Sequence, residues 1–373
     1  MRNIRNLHFL PQKNKMDFLL FLLPLALTLF GILMIYEASN IASYQSFSDK
    51  YYFVKEQFTA ALIGFLILGI FSQIHYRFFF NLAIPTLIVS VISLIIVLIP
   101  GYSQKILGAR RWLDLGFISF QPSELTKFGL ILYLSSWLTD KEKGRLLPFI
   151  LLLCLIVGLV ILQPDLGTAV ILTSIFLIVY FLSDSSIWHF IILVPLSIAS
   201  VIGLSLISPY RYQRLLTFIN PASDPLGSSY HIRQILISLG SGGVFGLGLG
   251  ASRQKYQYLP EATTDSIFAI IGEEFGFFGS VILIAAFMVL LHRIYKLIKS
   301  APDKYSRLLS SGFFALLASQ TIINLGAMVA LFPLTGIPLP FISYGGSNLV
   351  ITLAAFGILL NISKFKIQSP RHE

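Results

Sequence analysis

Charge is scarce in this 373-residue chain: Asp, Glu, Lys and Arg make up 12% of it and hydrophobic residues 55%, against about 25% charged in an ordinary soluble domain. That scarcity excludes a water-exposed globule and marks a polytopic membrane protein. Cysteine is nearly absent as well. The single Cys154 lies in the apolar run LLLCLIVGL, which excludes an intrachain disulfide and a cysteine-based metal site. The sequence has no G-x-x-x-x-G-K-[ST]. Its glycine-rich stretch GSGGVFGLGLG meets a dinucleotide fingerprint only at Gly246, Gly248 and Ala251, outside any βαβ setting. Those glycines read as points of close helix packing. Nucleic-acid-binding motifs, internal repeats and low-complexity linkers are also missing. No small-residue cleavage site follows the basic N-terminus, so the first apolar run reads as a retained helix.

Long apolar runs are what the chain has in quantity. A spanning helix needs about 20 mostly apolar residues, and ten such runs are found: 16–37, 52–72, 78–99, 122–138, 146–162, 167–183, 187–207, 266–291, 308–332 and 347–362. The expected fold is therefore all-α, a single membrane domain over 1–373 with ten transmembrane helices. Short tails are expected at 1–15 and 363–373, and a large loop at 208–265 between helices 7 and 8. Placing both termini in the cytoplasm puts sixteen Lys and Arg inside and eleven outside, the sense the positive-inside rule requires. The 208–265 loop is then extracytoplasmic, and it is far longer than a typical connection.

Nine of the eleven outer cations fall in two places: Lys105, Arg110, Arg111 and Lys127 around the third-to-fourth connection, and Arg211, Arg214, Arg233, Arg253 and Lys255 in the long loop. Each fits an ordinary solvated loop charge; gathered together they suit an anionic lipid head group. GARRWLDLG is too short for a stable strand and reads as a hairpin or interfacial segment with Trp112 at head-group level. Pro122 suits the first turn of a helix, which puts Glu124 and Lys127 on one face. These two either form an ion pair that offsets their burial, or Lys127 joins Arg111 in holding a phosphate. Asp165 in QPDLG is placed to cap the next helix, and YHIRQILISLG has helical periodicity. The proline-rich FPLTGIPLPFISYGGSN, which includes Ser343, cannot be a plain helix. Irregular backbone at this depth must line protein or a cavity, so the segment is expected to wall the site.

Four acids, Glu261, Asp265, Glu273 and Glu274, lie where the eighth run opens. Asp265 lies at its mouth, suited to be either a helix N-cap or a surface base; His231 is the rival base. Glu273 and Glu274 come eight and nine residues later, about 12–13.5 Å deeper, too far to act on the same atom as Asp265. They are expected to make polar contacts inside the bundle, with a proton pathway as the alternative.

The motifs FVKEQ (53–57), GARRWLDLG with FQPSELTK, QPDLGTAV, DPLGSSYHIRQ through GSGGVFGLGLGASRQKYQYLPEATTDSIFAIIGEEFG, and GIPLPFISYGGSN together resemble the SEDS family (shape, elongation, division and sporulation). These membrane glycosyltransferases polymerise lipid II into peptidoglycan. SRQKYQYLPEA is more similar to the FtsW division branch than to RodA. The resemblance implies ten helices in the bacterial cytoplasmic membrane, both termini inside and an outer-face site. It implies that Asp265 is the catalytic residue, although Thr263 and Ser266 stand where the family's HTDF-like motif has histidine and phenylalanine. As base, Asp265 would act on lipid II as it attacks a chain held on undecaprenyl pyrophosphate, with inversion to a β-1,4 linkage. Arg111, Trp112, Glu124, Lys127, Arg211, Arg233, Lys255, Glu261 and Ser343 are the candidate substrate-contacting residues. A divalent cation, Mg or Mn, is an expectation of the family alone, since no metal motif is visible. The implied partners are a class B penicillin-binding protein and other division or elongation proteins. A lipid II flippase or transporter and a non-catalytic division scaffold are the rival functions; the outer clustering of the cations favours the enzyme.

Overall fold

A computed structural model of the chain describes residues 15–106, 109–114, 119–140, 145–220, 227, 229–256 and 258–365. The tails before 15 and after 365, the side chain of Lys105 and most of the turn-rich NPASDPLG lie outside the described residues. Twelve helices and three strands are found among the described residues. They are α1 (Leu19–Phe47), α2 (Tyr52–Gln73), α3 (Phe78–Leu98), β1 (Ser103–Ile106), β2 (Ala109–Asp114), β3 (Ser119–Phe120), α4 (Pro122–Trp137), α5 (Leu146–Ile161) and α6 (Leu166–Phe181). Then come α7 (Ile187–Ile207), α8 (Pro209–Ile219), α9 (Tyr230–Ser241), α10 (Ile267–Lys299), α11 (Lys304–Met328) and α12 (Gly346–Ser363).

Each of the ten apolar runs lies on a helix, and seven of these helices are long and apolar enough to cross a membrane. α4, α5 and α6 have 16 residues each, about 24 Å of rise against a hydrocarbon core of about 30 Å. α11 and α12 form the centre: 67% and 83% of their apolar windows are buried, against 11% for α7. α12 lies along α2, α3 along α4, and α11 meets α10, α6 and α4.

Local chemistry sets several boundaries. Pro122 occupies the first turn of α4, where its missing N–H costs nothing. Asp165 caps α6, accepting from the Thr168 backbone N–H at 3.1 Å and the Thr168 hydroxyl at 2.9 Å. α10 runs on to Lys299 with Lys296 and Lys299 in its last turn, favourable to the helix dipole. The GARRWLDLG segment corrects the expectation that it is too short for a strand. β2 pairs antiparallel with both β1 and β3, and its ladder is completed by neighbours on both sides, so neither β1 nor β3 needs to be long.

The glycine-rich stretch explains itself against α10. Gly276 breaks that helix with φ 66° and ψ −161°, a region open essentially to glycine. Leu247 and Gly248 N–H donate to the carbonyls of Glu273 and Glu274, and Phe277 and Phe278 N–H donate to Gly243 and Val244. A Cβ on Gly276 would meet the Gly246 nitrogen at 2.3 Å, and one on Gly246 the Glu274 oxygen at 2.1 Å. Close backbone packing, not a nucleotide, is what the glycines serve. Gly276→Ala is expected to cost about 3 kcal/mol or more, from the forbidden φ and the clash together; thermal unfolding in detergent checks it, and an unchanged melting temperature would refute the account of the break.

Candidate active site

Asp265 sits in the loop that delivers the chain into α10, outside the spanning helix, and is 7% exposed. The N-cap position of α10 is Ser266, with no side-chain capping bond, so the capping role considered for Asp265 does not hold. Its carbonyl accepts from Asn324 Nδ2 at 2.9 Å, and the same amide reaches the Ile337 carbonyl at 2.8 Å. The backbone of Asp265 is thereby clamped between α11 and the segment before α12.

The carboxylate is poised by its neighbours. Thr264 Oγ1 lies 2.7 Å from Glu261 Oε2 and 3.2 Å from Asp265 Oδ1, so one hydroxyl proton serves two carboxylates. Burial first, then the Glu261 charge, push the Asp265 pKa up to about 6, against the opposing pull of its own backbone N–H, Arg214 and the Thr264 hydroxyl. A base titrating there is well matched to neutral pH. Glu261 itself is exposed.

Arg214, on α8, is the cation that acts on Asp265. Its Nη1 donates to the Leu334 carbonyl at 2.8 Å. Beside it His231, from α9, meets Ser266 Oγ at 2.7 Å. Burial and the Arg214 charge press the His231 pKa down to about 4, a contact with the Pro260 backbone opposing. The imidazole is therefore neutral at neutral pH and a weaker base than Asp265. α8, α9 and Leu334 enclose a cleft of about 230 Å³ lined by Gln213, Arg214, Thr217, Phe218, His231, Ile232 and Leu334.

The proline-rich segment walls this site as expected. Tyr344 N–H donates to the Thr263 carbonyl at 2.9 Å, and Gly336, at φ 71°, faces Asp265 Oδ2: a Cβ there would lie 4.0 Å from it. Ser343 is buried, its hydroxyl accepting from Leu339 N–H at 2.8 Å. Gln57 takes the Ser343 carbonyl at 3.3 Å and the Gly345 N–H at 3.1 Å, and Tyr344 OH donates to Glu56. The FVKEQ motif thus holds the wall in place.

The other candidates are spread more widely. Glu124 and Lys127 are 3% and 1% exposed and pair at 2.7 Å, with Asn348 Nδ2 donating to Glu124 at 3.0 Å; the ion-pair reading describes them. Arg111 staples β2 to the α5–α6 hairpin through the carbonyls of Gln163 and Pro164, with Asp165 at 3.9 Å. Trp112 is half-buried on the same strand. Lys255 is buried, its ammonium 2.6 Å from the Gly250 carbonyl and 3.3 Å from Glu37. Arg211 lies half-buried one turn before Arg214, and Arg233 is exposed on α9. Glu273 accepts from Ser252 Oγ and, at 3.1 Å, from Arg253 N–H; Glu274 accepts from Ser252 N–H at 3.4 Å. Both serve the glycine-rich loop, inside the protein and apart from Asp265. Sequence reasoning missed α8 and Phe218, and counted Arg214 among the outer cations without a contact of its own, although Pro209 after Ser208 was the signal of a helix start.

Residues 17–368 match the family model described as "Cell cycle protein", which groups FtsW, RodA and SpoVE. The chain is 40% identical over 354 residues to the probable peptidoglycan glycosyltransferase FtsW of Trichlorobacter lovleyi, covering 93% of each, and 37% identical to the stage V sporulation protein E of Bacillus subtilis, covering 95% of this chain and 98% of that one. It superposes with a TM-score of 0.75, at 30% identity and covering 93% and 97%, on a chain from work on "Structural coordination of polymerization and crosslinking by a peptidoglycan synthase complex". The rod shape determining protein RodA of Thermus thermophilus gives a TM-score of 0.70 at 30% identity, covering 95% and 98%. The mostly helical fold is thus RodA-like, and the chain belongs to the FtsW/RodA/SpoVE family.

Proposed function

We propose that the protein is a peptidoglycan glycosyltransferase that polymerises lipid II at the outer face of the bacterial cytoplasmic membrane. The observation that carries the reading is a buried carboxylate, Asp265, pushed up to about 6, with Arg214 acting on it from the cleft between α8 and α9. In the reaction, the hydroxyl oxygen of the acceptor lipid II attacks the anomeric carbon of the growing chain as Asp265 takes the hydroxyl proton. The bond from that carbon to the pyrophosphate oxygen breaks, undecaprenyl pyrophosphate leaves with the electron pair, and the α-linked donor becomes a β-1,4 product. One base suffices for a single inverting displacement. What the leaving pyrophosphate needs is charge stabilisation, for which Arg211 and Arg233 are better placed than Arg111, Lys127 and Lys255, whose cationic groups are engaged inside the protein.

Ten spans, with the short α4, α5 and α6 included, leave both termini cytoplasmic and the 208–265 loop outside. Likeness to a chain of a polymerising and crosslinking complex supports a class B penicillin-binding protein as partner, and likeness to an FtsW supports work in septal synthesis. Among the described residues no three His, Cys, Asp or Glu side chains converge to hold a metal. No step is routed through a divalent cation.

Purified protein incubated with lipid II in detergent is expected to yield glycan polymer, and the absence of polymer would remove this reading. The shared hydroxyl gives a signed pH test. Thr264→Val removes a donor that favours ionised Asp265, so the acid limb of the rate profile moves to higher pH. Glu261→Gln removes the neighbouring charge and moves it lower; Thr264→Ser restores the parent profile. Each shift is of order half a pH unit or more, and identical limbs in all four proteins would contradict the coupling.

A further inference from the structure

The α8–α9 cleft has a chemistry of its own. Its polar groups are the Gln213 amide, the Thr217 hydroxyl, the His231 imidazole and the Arg214 guanidinium, and Phe218 and Ile232 supply apolar surface. The imidazole is neutral, and the Arg214 charge is engaged by the Leu334 carbonyl and balanced by Asp265. The Thr217 hydroxyl donates to the Arg214 carbonyl and can still accept, and His231 contacts Ser266 and the Pro260 backbone; with the Gln213 amide, the lining offers an uncharged ligand hydrogen bonds of both senses and one aromatic face. The volume, about 230 Å³, is below the roughly 300–1,000 Å³ of pockets for whole drug-sized ligands. That volume suits one sugar ring. Two chain paths bring the cleft to the base: His231 is bonded to Ser266, the neighbour of Asp265, and Leu334 lies two residues before Gly336, which backs Asp265.

We propose that the α8–α9 cleft is the subsite for a single uncharged sugar ring, the one that carries the attacking hydroxyl and lies remote from the pyrophosphate of lipid II. The proposal rests on the glycosyltransferase reading above. Phe218 gives the ring an apolar face, Gln213 and Thr217 bond its hydroxyl or acetamido groups, and its free hydroxyl is presented towards Asp265. The long loop then holds the acceptor sugar while its lipid stays in the membrane.

Equilibrium binding to Asp265→Asn protein, which leaves the ligands unreacted, tests this with two probes: lipid II, and undecaprenyl pyrophosphate without sugar. Adding Gln213→Ala and Phe218→Ala together is expected to weaken lipid II binding about tenfold, the loss of one hydrogen bond and one stacked face. The sugarless lipid should bind as before, which also shows that the variant is folded. Phe218→Tyr should retain lipid II affinity. Unchanged lipid II affinity in the double variant, or an equal loss for both probes, would overturn the subsite. Absence of polymer from the wild-type protein would instead overturn the glycosyltransferase reading itself and the subsite with it.

Discussion

Asp265→Asn is expected to abolish polymerisation and to raise the melting temperature of the protein at neutral pH. The first effect follows from the loss of a general base, which contributes typically 10²–10⁴-fold. The second follows from linkage. The folded-state pKa of about 6 lies above the unfolded value of 3.8, so the folded protein binds the proton more tightly than the unfolded chain. The stability this confers is complete below about pH 4 and is lost as pH rises through about 6. At pH 7.5 the ionised, buried carboxylate therefore costs about 3 kcal/mol, two pKa units at 1.36 kcal/mol each. Asparagine is isosteric and uncharged, so the variant escapes this cost. Thermal unfolding in detergent should show the variant melting higher at pH 7.5 and the two proteins converging near pH 4. A variant that melts lower at pH 7.5 would mean that Asp265 is a structural residue, and its inactivity would then say nothing about catalysis. Stability given up at a working site is a common trade.

The second large effect concerns Glu124 and Lys127. Both are buried and paired at 2.7 Å, so Lys127→Met should leave Glu124 as an uncompensated interior charge, a loss of about 3–5 kcal/mol. The Asn348 amide at 3.0 Å is one neutral donor and cannot replace an ammonium. Changing both partners, Glu124→Gln with Lys127→Met, removes the charge and should restore most of the stability, since two well-packed neutral groups are often as good as a buried pair. Melting temperatures of the two singles and the double form the cycle. If Lys127 instead holds substrate phosphate, Lys127→Met would fold with the parent's melting temperature and show weakened lipid II binding. The sequence left the two roles open; the burial of both groups and the Asn348 contact favour the pair.

Much of the fold was legible because its signals are local. Apolar runs mark ten of the twelve described helices, Pro122 opens α4, Asp165 caps α6, and the periodicity of YHIRQILISLG reports α9. Glu273 and Glu274 were separable from Asp265 by helical rise alone. α8 was not legible from apolar run length. PYRYQRLLTFI is amphipathic, and a helix that shows one apolar face to the bundle and one polar face to water gives no run for a hydropathy scan to find. The choice between Arg211 and Arg214 depends on the rotational phase of that helix, which only packing fixes. Contacts such as Lys255 with Glu37, 218 residues apart, leave no mark in the sequence: the cation reads as a free ligand until its acid is seen beside it. The strands around Trp112 escaped for a related reason, since β3, two residues long, is held by its pairing with β2.

Thr264 bridges Glu261 and Asp265, and Ser266 ties the loop to His231, so the candidate site is held by hydroxyl contacts on both sides of Asp265.

The central claim is that Asp265 is the base for lipid II polymerisation and works from a pKa near 6. Its most direct test is the initial polymerisation rate at subsaturating lipid II between pH 4.5 and 8.5. The expected profile rises tenfold per pH unit at the acid end, bends near pH 6 and then levels. A rate that is flat across pH 5–7, as a base titrating near 4 such as His231 would give, would contradict it.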